Sequence, residues 1–286
     1  MKTIGIIANL TKDEAAQTVI EVSKWLQDKN INLLITKDCA AALSLSGCEA
    51  LDSKELISRS DCLIVFGGDG TLLNIARMTG AGNVPILAVN LGSLGFLTEV
   101  TLDELYPALT KVLNGDFQLD ERMMLRATVH NENEDKIEAQ SVALNDAVIR
   151  QGAFSRIVSL ETYIDNEHVA TYGADGLIIA TPSGSTAHSL SAGGPIVHPG
   201  LSAFILTPIC PHTLTVRPHI VSAESCVSII IRSRHSNIML TMDGQEAFDL
   251  HPDSVVEISK ASETIKLIRS HKRSYYEVLK TKLKWG

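Results

Sequence analysis

Apolar residues in the first hundred positions fall into short unbroken runs, separated by stretches in which they recur every three or four places. Ile4 to Ala8, INLLIT at Ile31 to Thr36 and DCLIVF at Asp61 to Phe66 are the unbroken runs, and such runs fit strands covered on both faces, as in a parallel sheet. Between the first two, Ala15, Val19, Val22 and Leu26 share one helical face. Thr11 with Glu14 three places on predicts a capping box that opens this helix, which runs through Asp28. A helix over Thr71 to Met78 and a strand over Pro85 to Val89 complete a βαβ unit. Residues 38–60 are poorly patterned and yield only a short helix near Lys54 to Ser58, whereas Asp103 to Leu113 reads as a helix closed by Gly115.

The period then changes from helical to alternating. LRATVH, KIEAQSVAL, RIVSLETYI and EHVATY are separated by turn residues such as NENED and Asp165-Asn166, and CVSIIIRS, NIMLTM, VVEIS and IKLIRS continue the series. These are hairpin signals. The expected architecture is an α/β domain over residues 1–100 followed by a mostly β domain over 101–273. The tail from Ser274 to Trp285 is helical, with Tyr276, Leu279 and Leu283 on one face, and helix 274–286 is a candidate to pack back on the first domain. Seven basic residues against one acid lie between Lys266 and Gly286; a solvated helix face is the preferred reading over a phosphate-binding one.

Composition narrows the function classes. The chain has 286 residues, with 25 Lys+Arg against 33 Asp+Glu, a formal net charge of −8. A dedicated nucleic-acid binder needs a basic surface, so no nucleic-acid partner is expected. Five cysteines, Cys39, Cys48, Cys62, Cys210 and Cys226, are odd in number and never form CxxC, which suggests neither a disulfide framework nor a zinc cluster and fits a reducing cytoplasm. No apolar run approaches the ~18 residues that span a bilayer, and no signal-peptide core opens the chain, so a soluble cytoplasmic protein without a membrane partner is expected.

The sharpest chemical signal is Gly67-Gly68-Asp69-Gly70-Thr71, directly after the apolar run ending at Phe66 and directly before LLNIARM. Glycines allow a steep turn and close approach of a ligand, and amides at a helix start favour an anion, so Gly67, Gly68, Gly70 and Thr71 form a candidate phosphate cradle. A carboxylate in its middle repels phosphate unless it binds a metal or accepts a proton from an attacking hydroxyl. A tight turn with Asp69 capping the helix is the plainer alternative. GxxxxGK[ST], GxGxxG after the first strand, GxSxG and HExxH are all absent. The second dense stretch, DGLIIATPSGSTAHSLSAGGPIVHP at Asp175 to Pro199, predicts a strand at Leu177 to Ala180, a loop of small donors at Thr181 to Thr186, and a short helix over Ala187 to Ser191. Asn145-Asp146 stands at a further strand start.

Taken together these stretches resemble an NAD kinase. The likeness extends through GGDGT, NLGSLGFLTE at Asn90 to Glu99, LNDAVI at Leu144 to Ile149, the TPSGSTA run, GGPIVHP at Gly193 to Pro199, PHTLTVRP at Pro211 to Pro218, and DGQ at Asp243 to Gln245. GGDGT alone is shared with lipid kinases of the diacylglycerol and sphingosine type, which remain an alternative, as does a non-catalytic dinucleotide sensor. The resemblance implies a Rossmann-like N-terminal domain, a β-rich C-terminal domain with NAD between them, and a homodimer or homotetramer. It also implies ATP-dependent phosphorylation of the adenosine-ribose 2′-hydroxyl of NAD. By motif, Asp69 matches the family's proton acceptor and Gly70 lies beside the same ribose. Phe96 matches the aromatic position near the adenine, Asn145 and Asp146 the pair that holds the adenine-ribose region, and Asp175 the carboxylate facing the nicotinamide end. Arg156, Gly173, Thr186, Ala187, His188, Ser189, Leu190, Ser191 and Gln245 fall at other NAD-contacting positions. Mg²⁺ or another divalent cation is expected with ATP, held mostly by phosphate oxygens and water, and no metal ligand is assigned to the chain. His188 stands where many members have Tyr and introduces a group that titrates near neutrality. Gly173 stands where some bacterial members have Arg, which suggests that NADH is accepted beside NAD.

Overall fold

The unbroken apolar runs become the inner strands of a parallel sheet. The structure, a computed structural model, describes residues 1–12, 14–79, 84–132, 136–152, 157–233, 237–270 and 272–285. The chain divides into two compact units, Met1–Glu121 with Ile265–Gly286, and Arg122–Thr264.

In the first unit β1 (Thr3–Ala8), α1 (Ala15–Gln27), β2 (Asn32–Thr36), α2 (Lys37–Leu43), β3 (Glu49–Leu51), α3 (Ser53–Arg59), β4 (Cys62–Gly67), α4 (Asp69–Thr79) and β5 (Ile86–Asn90) follow one another. The strands lie in the order β3-β2-β1-β4-β5, all parallel. Ala15, Val19, Val22 and Leu26 of α1 are fully buried, and each larger side chain among them contributes about 1.5–3 kcal/mol by leaving water. The expected capping box is not formed. The Thr11 hydroxyl donates instead to Asn9 Oδ1 at 2.7 Å, and Glu14, without a side-chain cap bond, occupies the N-cap. A nearby Asx acceptor has captured the hydroxyl before the helix could. After a 3-10 turn at Leu102–Glu104, α5 (Leu105–Asn114) ends on Gly115 in the left-handed region at φ 75°, where glycine carries no Cβ penalty. Leu105, Leu109 and Val112 of α5 join the core formed by Val19, Ile64 and Val89. That burial carries the first unit to Glu121, beyond the break expected at residue 100.

The second unit holds two antiparallel sheets. Its strands are β6 (Leu119–Asn131, whose first residues belong to the first unit), β7 (Ile137–Ala143), β8 (Asp146–Gln151), β9 (Val158–Ile164), β10 (Glu167–Ala174) and β11 (Gly176–Ala180). After α6 (His188–Ser191) come β12 (Ala203–Ile209), β13 (His219–Ser222), β14 (Val227–Ile231), β15 (Ile238–Met242), β16 (Glu246–Leu250) and β17 (Ser254–Ile268). One sheet runs β13-β12-β11-β8-β15-β16; the other runs β10-β9-β14-β17, with β6 pairing β17 and β7. Ile149, Leu177, Phe204 and Leu240 from the first meet Val129, Leu160, Ile229 and Val256 from the second in one core, the arrangement expected of alternating strands. Asp165 and Asn166, at φ 50° and 68°, make the two-residue turn between β9 and β10. VVEIS and the first four residues of IKLIRS prove to lie in one 15-residue strand. The polar stretch between them is not a turn, because its charges pair with neighbours: Lys260 Nζ lies 2.7 Å from Glu224 and Glu263 pairs with Arg126 at 2.5 Å.

The chain ends in α7 (Tyr275–Leu283), opened by a capping box between Ser274 and Glu277. Its buried residues are Val278 and Leu279, whereas Tyr276 is 63% exposed, so the inward face is not the expected Tyr276, Leu279, Leu283 stripe. Arg273 fixes this orientation by meeting the buried Glu104 at 2.8 Å and the Glu99 carbonyl oxygen at 3.1 Å. Among the described residues no helix is long and apolar enough to cross a membrane.

Candidate active site

Chemistry in the first unit gathers at the C-terminal edge of β4 and β5, where open α/β sheets hold their ligands. β4 ends at Gly67, whose carbonyl accepts from Leu91 N at 3.0 Å. A Cβ on Gly67 would come within 2.6 Å of Thr71 Cβ, so glycine is required for β4 to turn into α4. At Gly68 and Gly70 the Cβ direction meets open space. Those two positions leave room over the start of α4, whose amides favour an anion.

Asp69 is the first residue of α4 and caps nothing in it. Its Oδ2 accepts from Phe96 N at 2.9 Å; its Oδ1 accepts from Leu97 N at 3.2 Å, Thr98 N at 3.0 Å and Thr98 Oγ1 at 2.9 Å. The carboxylate therefore latches the loop after β5, and the helix-cap reading of GGDGT is replaced by a latch. The loop is built for it: a Cβ on Gly95 would collide with Asp69 Oδ1 and Thr98 Oγ1. Asn90, 5% exposed, donates from Nδ2 to Thr98 Oγ1 at 2.7 Å and accepts from Gly92 N at 2.7 Å. Beside this latch is a cavity of about 240 Å³ bounded by Gly67, Gly68, Asp69, Asn90, Lys12 and Lys282 among others. A second cavity of about 490 Å³ shares Lys12, Asn90 and Gly92 with it. Lys282, from the basic tail, also stands 5.7 Å over the Phe96 ring. Two ammoniums and a glycine turn around one fixed carboxylate suit a polyphosphate and a hydroxyl that must lose a proton.

In the second unit, Asn145 and Asp146 open β8 and are held from three sides. Asp243, at φ 52° in the turn between β15 and β16, accepts from Leu144 N at 3.0 Å, Asn145 N at 2.7 Å and Asp146 N at 3.1 Å. The Asn145 carbonyl accepts from Thr181 N at 2.8 Å, and the Gly184 Cβ direction points at the same carbonyl. The Asn-Asp pair and the TPSGST run are thus one cluster. Arg122, 3% exposed, supports it from behind by donating to Ser183 Oγ at 3.1 Å. Asn145 Oδ1 is buried without a hydrogen-bond partner, an acceptor left for something outside the chain. Burial, and secondarily the charge of Asp243, push the Asp146 carboxyl up to about 7.

The remaining expected residues are spread more widely. Thr186 closes the 3-10 turn Ser183–Thr186, Ala187 precedes α6, and α6 carries His188, Ser189, Leu190 and Ser191. His188 is exposed; partial desolvation and then Arg150 lower its pKa. Ser189 is fully buried and bonds Thr207 Oγ1 at 2.9 Å, which makes it a packing residue and not a surface for a ligand. Gly173 lies in β10, Asp175 between β10 and β11, and Gln245 is exposed after the Asp243-Gly244 turn. Asp175 N donates to the Ile209 carbonyl at 2.9 Å, the Gly173 carbonyl accepts from His212 N at 2.9 Å, and Gln245 N donates to the Met242 carbonyl at 2.9 Å. Arg156 lies outside the described residues. Sequence reasoning assigned no role to Asn90, Thr98, Arg122 or Asp243. A polar residue ending the buried run ILAVN was a usable signal for Asn90; a buried arginine in an alternating strand gave none.

Comparison with known proteins finds relatives that span both units. The model of the ATP-NAD kinase N-terminal domain matches residues 4–117 and that of the ATP-NAD kinase C-terminal domain residues 144–270. NAD kinase of Geotalea daltonii is 45% identical over 286 residues, covering all of this chain and 99% of the relative, and that of Geobacter metallireducens is 47% identical with the same coverage. Among solved structures, yeast NADH kinase complexed with NADH superposes with a TM-score of 0.92 at 27% identity, over 100% of this chain and 88% of that one. An NAD kinase from Archaeoglobus fulgidus in complex with ATP, 23% identical with a TM-score of 0.75 over 97% and 98% of the two chains, shares the fold.

Proposed function

The chain belongs to the ATP-NAD kinase family, and we infer that it transfers the γ-phosphoryl group of ATP to the 2′-hydroxyl of the adenosine ribose of NAD, giving NADP. Asp69 carries the reading. It is a carboxylate fixed by three amides and a hydroxyl beside a glycine turn, next to a cavity flanked by Lys12 and Lys282.

A ribose hydroxyl is a weak nucleophile at neutral pH, and a fixed carboxylate can take its proton as bonding to phosphorus develops. Asp69 has that role. The amides of Gly68 and Gly70, with the two ammoniums, face the spread negative charge of the phosphoryl group. Around this cavity the protein offers amides, Asn90, the Ser93 hydroxyl and ammoniums, and among the described residues no three His, Cys, Asp or Glu side chains group together. Such a donor set fits a divalent cation that would arrive on ATP, held mostly by phosphate oxygens and water; when bound it would supply positive charge to the transferred phosphoryl group. In the second unit, the Asn145 acceptor and the Asp146 carboxyl suit the amine and hydroxyls of an adenosine, Asp175 serves the nicotinamide end, and the exposed His188, Ser191 and Gln245 with the half-buried Thr186, Ala187 and Leu190 flank the dinucleotide. Five free cysteines suit a cytoplasmic setting. Exposed Leu214, Leu201 and Ile220 on the second unit are in keeping with a homo-oligomer.

The test is a coupled assay in which an NADP-specific dehydrogenase reduces the product formed from NAD, ATP and Mg²⁺. NADP should form only when all three are supplied; no NADP from the complete mixture contradicts the assignment.

A further inference from the structure

We propose that Thr98, oriented by Asn90, is a positioning residue that leaves Oδ2 of Asp69 as the one atom able to accept the 2′-hydroxyl proton. The proposal rests on the kinase reading above and deepens it to single atoms. Oδ1 of Asp69 already accepts from Leu97 N, Thr98 N and Thr98 Oγ1. A carboxylate oxygen has roughly two lone-pair sites, so Oδ1 is saturated. Oδ2 accepts from Phe96 N alone and keeps a site for one more proton.

The direction of each bond follows from its donors. Gly92 N–H can only donate, so the Asn90 atom facing it at 2.7 Å is the amide oxygen. That turns Asn90 Nδ2 toward Thr98 Oγ1, also at 2.7 Å. An amide NH₂ cannot accept, so the single Thr98 hydroxyl proton is left to point at Asp69 Oδ1. Thr98 is fully buried and Asn90 is 5% exposed. One continuous polarity therefore runs from the Gly92 amide through Asn90 and Thr98 to Oδ1, and it holds the carboxylate plane with Oδ2 available. In the reaction the ribose O2′–phosphorus bond forms and the bond from the γ-phosphorus to the bridging oxygen breaks. Its electron pair leaves with ADP, and the 2′-proton passes to Oδ2.

The coupled NADP assay on the full chain tests this with Thr98→Val, which keeps the shape and removes the hydroxyl, and Thr98→Ser, which keeps the hydroxyl. Thr98→Val should lower kcat on the order of 10²-fold, the scale of a misaimed catalytic group, with KM for NAD and ATP within about twofold of wild type. Thr98→Ser should restore most of the rate. If Thr98→Val is too unstable to assay, Asn90→Asp gives a second reading: it keeps the Gly92 bond and reverses the relay, because a carboxylate at 90 accepts the Thr98 proton. Its kcat should fall on the same order with KM for NAD unchanged. A wild-type chain that forms no NADP overturns the assignment and the relay together. With an active wild type, the relay alone is overturned by an unchanged kcat in Thr98→Val or Asn90→Asp, by a KM effect without a kcat effect, or by a Thr98→Ser loss as large as that of Thr98→Val.

Discussion

Gly95 lies against the Asp69 carboxylate with no space for a methyl group, since a Cβ there would strike Asp69 Oδ1 and Thr98 Oγ1. Gly95→Ala must push the loop away from α4, and overpacking of this kind costs about 1–3 kcal/mol. The expected outcome is a folded chain with a lower melting temperature and turnover reduced at least tenfold, because on the order of 1 Å of misplacement is enough for a loss of that size. Calorimetry and the coupled assay check the two parts separately, and wild-type turnover in Gly95→Ala would refute the latch. Gly68 presents the contrast, because its Cβ direction is open. No neighbouring atom in the chain explains its use as glycine.

At the scale of elements, the turn between β15 and β16 acts on the start of β8. Asp243 accepts the three amides of Leu144, Asn145 and Asp146, and its charge adds to the burial that moves the Asp146 carboxyl up to about 7. The sign of the pH effect follows. The folded chain holds this proton up to about pH 7, whereas the unfolded chain releases it near the ordinary value of 3.8. The stability this proton confers is present at acid pH, declines between those two values as pH rises, and stays lost above them. Asp146→Asn, which mimics the protonated form, should raise the melting temperature at pH 8 and leave it close to wild type at pH 4; an equal shift at both pH values would contradict the account. The strands and helices around this turn were legible because unbroken and alternating runs map onto different sheets. Two features were not. The polar middle of β17 looks like a turn until Arg126 and Glu224 supply partners from distant positions, and the Thr11 capping signal was lost to Asn9, a competitor the pattern does not rank.

For the molecule as a whole, the order of α/β and β-rich halves could be read along the chain, and the C-terminal helix was a candidate to pack back on the first; the contact that holds residues 265–286 in the first unit, Arg273 on Glu104, could not be read. Motifs located Asp69, Asn145 and Asp146, but not what holds them, because the holding groups are backbone amides and buried polar side chains far away in sequence. The central claim is that Asp69 takes the acceptor proton. Asp69→Asn is suited to testing it, since an amide oxygen can keep the three Oδ1 bonds and only the Phe96 bond is lost. The measurement is kcat for NADP formation by this variant, with NAD affinity followed by titration calorimetry. A fall of about 10² to 10⁴-fold in kcat, the usual contribution of a general base, with NAD affinity near wild type is the predicted result; turnover close to wild type would contradict the account.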